Sequence, residues 1–342
     1  MSNNSNASVW IEDGEKFALM GLNLNFEGQL RCDELVPGYS ALVDKNFQIP
    51  AHWREWLGTI RTDELDNCNL YLLSKQRSAD VSVFNAENQA LQQRVRHFYI
   101  GLLLASPFAP AQNPVLLTGA CRGEEIDLRQ HTIHDPPVPN IWRPYPAVVP
   151  DDIRRAANLG RNLEKLAAIR STGGHWRLLR ALSVYTDART IPDILDRIHQ
   201  YCRCIEGLIL PDVGNTKKQF KSRTDLFIGA THHTLMGELY DIRSAVEHLH
   251  ENRYLEYFDR KVRLDLAKKA AIAESIARSA LAHILEKDSL CVYFGNTQAL
   301  KDFWALAPEV RKAIWGDPID PLIAIKDFDP KYITDAMLGY AS

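Results

Sequence analysis

The chain has 342 residues, a formal net charge of -3 and a sequence pI of about 6.4. Charged residues make up 24% and hydrophobic ones 46%, ample apolar material for more than one core, so two domains are expected. The acidic balance excludes a protein that coats nucleic acid through bulk charge, yet it leaves room for a local basic site.

The six cysteines, Cys32, Cys68, Cys121, Cys202, Cys204 and Cys291, are scattered, and "MSNNSNASVW" is polar where a secretory leader would be apolar. Free buried thiols in a cytoplasmic protein are expected rather than a disulfide framework. Cys202-Arg203-Cys204 lacks the spacing of a redox or metal pair. The longest apolar run, "FYIGLLLASPFA" (98–109), is too short to span a bilayer, so no membrane association is expected.

In chain order, "KFALMGLNLNF" (16–26) alternates like a strand, and 85–105 reads as a helix with Leu91, Val95, Phe98 and Leu102 on one face. "PVLLTGACRGEEIDLRQHTI" (114–133) reads as a hairpin turning at Arg122-Gly123. Residues 1–134 therefore form an expected α+β domain whose role, sensing a trigger or binding a partner, has no chemical signature. "DPPVPNIWRPYPAVVP" (135–150) holds six prolines in sixteen residues and predicts a stiff linker. From 151 to 316 the pattern is helical, over 151–169, 175–188, 192–210, 220–230, 234 to about 258, and 264–285, with shorter pieces over 297–315. Residues 317–342 read as a proline-broken tail. No 20- to 50-residue period recurs, which predicts a bundle and not a solenoid.

The helix containing "YDIRSAVEHLH" (240–250) raises the functional question. On a helical wheel Leu235, Leu239, Ile242, Val246 and Leu249 form one apolar stripe, with Arg243 on one shoulder. His248 falls past the other shoulder, about 140° from Arg243, while His250 returns to the side of Arg243. A solvated face, with Asp241 or Glu247 pairing Arg243, accounts for this helix taken alone. Its neighbours carry more. Glu206 lies in an apolar helix end, where a carboxylate needs a partner. "KKQFKSR" places Lys217, Lys218, Lys221 and Arg223 together without an acid, a patch suited to phosphate or equally to solvent.

In order, "RCIEGLILPD", "FKSRTDLFIG" and "GELYDIRSAVEHLH" resemble the HEPN domains of the ApeA-like group, with "AESIARSALAHIL" (273–285) similar to their closing helix. The resemblance covers about Leu178 to Trp304. It departs at Glu247 and Leu249, where the family has an apolar residue and a glycine around its histidine. The resemblance implies an all-α HEPN bundle following the α+β domain, and a metal-independent endoribonuclease acting as a dimer, as a toxin or antiphage effector. Arg243 and His248 would be catalytic, with His250 the alternative imidazole. Glu206 and Asp241 would orient them, Tyr240 and Ser244 would support, and Lys217, Lys218, Lys221 and Arg223 would contact RNA. Because Arg243 and His248 lie on opposite flanks, an isologous homodimer is expected to complete one cleft. An antitoxin or other defence-system partner is the further expectation, beside a catalytically silent HEPN module or a nucleotide-binding sensor. No cofactor or metal is expected: His131/His134 and His232/His233 lack companion ligands, and no phosphate loop, nucleophile elbow or zinc motif is present.

Overall fold

The computed structural model describes residues 10–30, 33–43, 51–123, 125–131, 137–138, 145–169, 172–251 and 259–334, without the side chains of 33, 51–53 and 125–126. Cys32, His134, half of the expected linker and the end of the tail lie outside the described residues. Two compact units emerge. One runs through Pro137 and takes in Tyr145–Lys165; the other takes Val138–Pro144 and continues from Leu166.

The first unit is an antiparallel sheet with helices. Its strands are β1 (Glu15–Leu22), β2 (Asp33–Val36), β3 (Tyr39–Val43), β4 (Leu70–Arg77), β5 (Val115–Arg122) and β6 (Glu125–His131), in the order β2-β3-β4-β1-β5-β6. The hairpin expected at Arg122-Gly123 is the β5–β6 pair, with Arg122 opposite Glu125. Strand β1 is central and buried at every position, so its two faces cannot alternate between core and water. On one face Phe17, Leu19, Leu73 and Leu117 pack with Trp10 and with Leu65 of helix α1 (Ala51–Asp66). Helix α2 (Ala86–Ala105) begins on Asn85, whose side chain accepts from Asn88 N. It buries Leu91, Val95, Phe98 and Leu102.

The helix expected to open the bundle belongs elsewhere. Helix α3 (Pro150–Ala168) falls, through Lys165, in the sheet unit, so the boundary expected at 150/151 moves to 165/166. Two glycines explain it. A Cβ on Gly101 of α2 would lie 2.2 Å from Ala156 O, and one on Gly160 would lie 3.0 Å from Phe98 Cα, so α2 and α3 meet backbone to backbone. Glu164 of α3 also accepts from Arg94 at 3.1 Å and from Tyr39 Oη at 3.0 Å. Within the Pro-rich stretch, Val148 N donates to Asn25 O at 2.8 Å and Val138 N to Arg189 O at 2.7 Å. These described residues are docked, each to its own unit, and do not form a free linker.

The second unit is helical: α4 (Trp176–Ala188), α5 (Ile194–Ile209), α6 (Thr216–Ile228), α7 (His233–Glu247), α8 (Arg260–Glu286), α9 (Thr297–Ala305) and α10 (Pro308–Trp315). Helix α5 is capped by Asp193, which accepts from Leu195 N and Asp196 N, and it packs on α4, α7 and α8. Pro192 thus precedes the cap and is not in the first turn. The Ala-rich α8 supplies a small-residue face that lets its neighbours approach. Past 316 the chain stays on this unit, with Ile319 N donating to Phe227 O at 2.7 Å, so the described part of the expected tail is packed. No described helix is long and apolar enough to cross a membrane.

Candidate functional site on helices α5 and α7

Helix α7 buries Met236, Leu239, Ile242, Ala245 and Val246, which seats it on α5. That orientation places Arg243 at the α5–α7 seam, where its Nη2 donates to Glu206 Oε2 at 3.1 Å. The two side chains are 18% and 13% exposed. Burial raises the Glu206 carboxyl above the usual range, while the Arg243 charge pulls it back. Arg243 Nε and Glu206 Oε1 are buried and have no hydrogen-bond partner among the described residues. The guanidinium carbon stands 5.9 Å from the Tyr240 ring centre, and that ring lies 5.5 Å from Phe220. The polar residue stranded in an apolar helix end and the arginine on the shoulder of the stripe are therefore each other's partners.

Asp241 does not share this task. It is exposed and accepts from Lys217 Nζ at 2.6 Å. Glu247 faces α5, its Oε2 2.5 Å from His199 Nε2, and that hydrogen bond holds its carboxyl below the usual range. Sequence reasoning passed over His199, although it sits seven residues before Glu206 and so on the same face of α5. Ser244 is half-buried; its carbonyl accepts from His248 N at 3.1 Å, and its hydroxyl makes no hydrogen bond among the described residues.

The helix does not continue to about 258 as its pattern predicts. It stops at Glu247, with His248 as cap and Leu249 in the left-handed region at φ 52°. His250 N donates to Ala245 O at 2.9 Å and Leu249 N to Val246 O at 3.2 Å, the two bonds of a Schellman turn. Leu249 is consequently 76% exposed and not part of the core stripe. The turn also changes the imidazole geometry. On a continuous helix His248 and His250 would point about 200° apart. Here both are exposed, with ring centroids 5.9 Å apart and planes 29° from parallel. The remainder of the expected helix, 252–258, lies outside the described residues.

The basic patch splits. Lys218 is exposed, and Lys221 lays its stem across Gly237, where a Cβ would stand 3.4 Å from Lys221 Cδ. Arg223 is partly committed within the unit. Its Nη1 donates to Ile209 O at 2.8 Å and to Leu210 O, satisfying carbonyls where α5 ends on a left-handed Leu210. Its guanidinium carbon also lies 5.4 Å from the Trp304 ring centre. These bonds give Arg223 a place at the end of α5, where helix-end carbonyls need donors, beside its expected role as an RNA contact.

A second charged cluster escaped the sequence. Tyr185 Oη donates to Glu274 Oε1 at 2.9 Å, with Arg189 Nη1 at 3.4 Å and Arg278 Nε at 3.2 Å from the same oxygen. Arg189 is 1% and Glu274 7% exposed. The signal was a carboxylate inside the Ala-rich "AIAESIARSA". The thiols of Cys202 and Cys204 are buried, free and pushed upward by burial. Among the described residues no group of three or more His, Cys, Asp or Glu is placed to hold a metal ion.

Chemically, α7 offers a guanidinium tethered by a carboxylate and, at its C-terminal end, two accessible imidazoles. An anchored guanidinium suits an oxyanion, and imidazoles transfer protons near neutral pH. Comparison with family models, curated proteins and solved structures returned no match.

Proposed function

We propose that the helical unit is HEPN-like and that the chain is a metal-independent endoribonuclease of toxin or antiphage type. The observation that carries this reading is one helix bearing both a carboxylate-anchored arginine and two exposed imidazoles side by side. RNA brings its own nucleophile. An imidazole takes the 2′-OH proton, the 2′-oxygen attacks phosphorus, and a second imidazole gives its proton to the departing 5′-oxygen. The products are a 2′,3′-cyclic phosphate and a 5′-hydroxyl. Arg243 faces the extra negative charge on the phosphoryl oxygens, and Glu206 limits its rotamers so that less freedom is lost on binding. Lys217, Lys218 and Lys221 track the flanking backbone. Arg243 and the cap residue His248 leave the helix about 140° apart. A two-fold partner presenting its own α7 then completes the cleft, and the working species is a homodimer in the cytoplasm.

Wild type, Arg243→Ala, His248→Ala and His250→Ala are incubated with total cellular RNA in EDTA, and fragment ends are read for cyclic phosphate. Cleavage by wild type that Arg243→Ala and one histidine variant abolish supports the reading and assigns the acting imidazole. Equal fragmentation by all four, or by none, removes it. A second reading is favoured by the Arg243–Glu206 bond itself, which ties α5 to α7 and suits a silent dimerisation module. There Arg243→Ala lowers stability and changes no RNA.

A further inference from the structure

At the other end of α6 the helical unit carries a half-open cavity of about 520 Å³, within the range of small-molecule sites. Its walls are mostly apolar and short: Leu226, Ala230, Trp304, Pro308 and Pro318. Gly229 at φ 83° and Gly316 at φ 94° turn the chain along its rim, and neither conformation suits a residue with a side chain. The two prolines hold their parts of the wall at fixed φ and Trp304 adds a planar ring to the lining, which favours a flat guest.

Two polar features mark the slot as unfinished. Trp304 is 7% exposed, and its indole N–H is buried with no acceptor among the described residues, an arrangement that ordinarily has one. Arg311 spends Nη1 on Trp304 O and on Leu306 O at 2.9 Å, which fixes the guanidinium at the wall with its carbon 5.5 Å from the Trp304 ring centre. Its Nε and Nη2 hold no hydrogen bond among the described residues. Lys312 beside it is exposed, with no ion pair among the described residues. The lining carboxylate, Asp225, stands 3.3 Å from His233 Nδ1, and the Ser222 hydroxyl adds a donor or acceptor at the edge. The lining thus carries two cations against one carboxylate that already has a neighbour.

We propose that this cavity binds a small aromatic carboxylate, its ring between the proline and tryptophan walls and its carboxylate on Arg311 and Lys312. The site is independent of the nuclease reading, since none of its residues belongs to the α5–α7 seam. The probe is 1-naphthoate, titrated calorimetrically into the full chain, with 1-naphthalenemethanol as its uncharged counterpart. One equivalent should bind with Kd of about 1 mM or tighter. The alcohol should bind about ten-fold more weakly, and Lys312→Glu should weaken naphthoate about ten-fold, the worth of one charge-assisted bond. Ala230→Trp fills the slot from an exposed position and should abolish binding. Both variants are checked for wild-type far-ultraviolet dichroism and thermal midpoint, and Ser222→Trp replaces Ala230→Trp should the latter not fold. Absence of saturable binding, equal affinity for the alcohol, or binding that survives the filled slot overturns the proposal.

Discussion

Replacing Leu249 by glycine should stabilise the protein. Leu249 occupies the left-handed position after helix α7 at φ 52°, where a Cβ crowds the following carbonyl at a cost of about 1–2 kcal/mol. Glycine removes that cost but widens the unfolded ensemble, giving back about 0.5–1 kcal/mol. Little burial is lost, because the leucine is 76% exposed. The balance is a gain of about 0.5–1 kcal/mol, or roughly 1–4 °C in the unfolding midpoint of a unit this size. Urea unfolding of the full chain followed at 222 nm measures it, with Leu249→Ala as control. Alanine keeps the Cβ and therefore the penalty, so it should gain nothing. A glycine variant no more stable than the alanine variant would refute the assignment of the turn. Glycine adopts the same left-handed turn, so this gain should come without moving the imidazoles.

Three further outcomes follow from the seam and the caps. In a double-mutant cycle, Arg243→Ala and Glu206→Gln should couple by about 1–3 kcal/mol, since either alone strands a largely buried charge or acceptor; additive losses would mean the pair is not formed. The two carboxyls at the seam should respond to pH with opposite signs. Glu206 is raised, so the native state holds its proton more tightly and wild-type stability relative to Glu206→Gln should fall as pH rises above 4.5. Glu247 is lowered, so its contribution is present above 4.5 and should be lost as pH falls below it; denaturant midpoints of wild type and Glu247→Gln between pH 3 and 7 check both, and parallel slopes would contradict the geometry. Finally, Arg223→Ala should cost about 1–2 kcal/mol by freeing the α5 carbonyls while leaving RNA affinity unchanged in a filter-binding assay. A loss of affinity without a loss of stability would return Arg223 to the phosphate patch.

Local pattern was enough for much of the fold. The strand expected over 16–26 overlaps β1, which ends at Leu22, while Asn85 starts α2 and Arg122-Gly123 turns the β5–β6 hairpin, because capping and turn chemistry act over a few residues. Glu206 in an apolar helix end likewise signalled a buried partner, and Arg243 is that partner. What the sequence could not assign was who touches whom. Helix α3 carries an ordinary apolar stripe, and it is the backbone contact at Gly101 and Gly160, with Glu164 on Arg94 and Tyr39, that commits it to the sheet unit. Arg223 reads as one more cation in a basic run until the end of α5 arrives beside it with carbonyls to satisfy. The imidazole pair is the clearest case: a helical wheel separates His248 from His250, and one left-handed residue brings them together. Stripe and cap are properties of neighbours along the chain. Pairing across helices depends on which surfaces meet, and that is settled only when the apolar faces of the whole unit are buried at once.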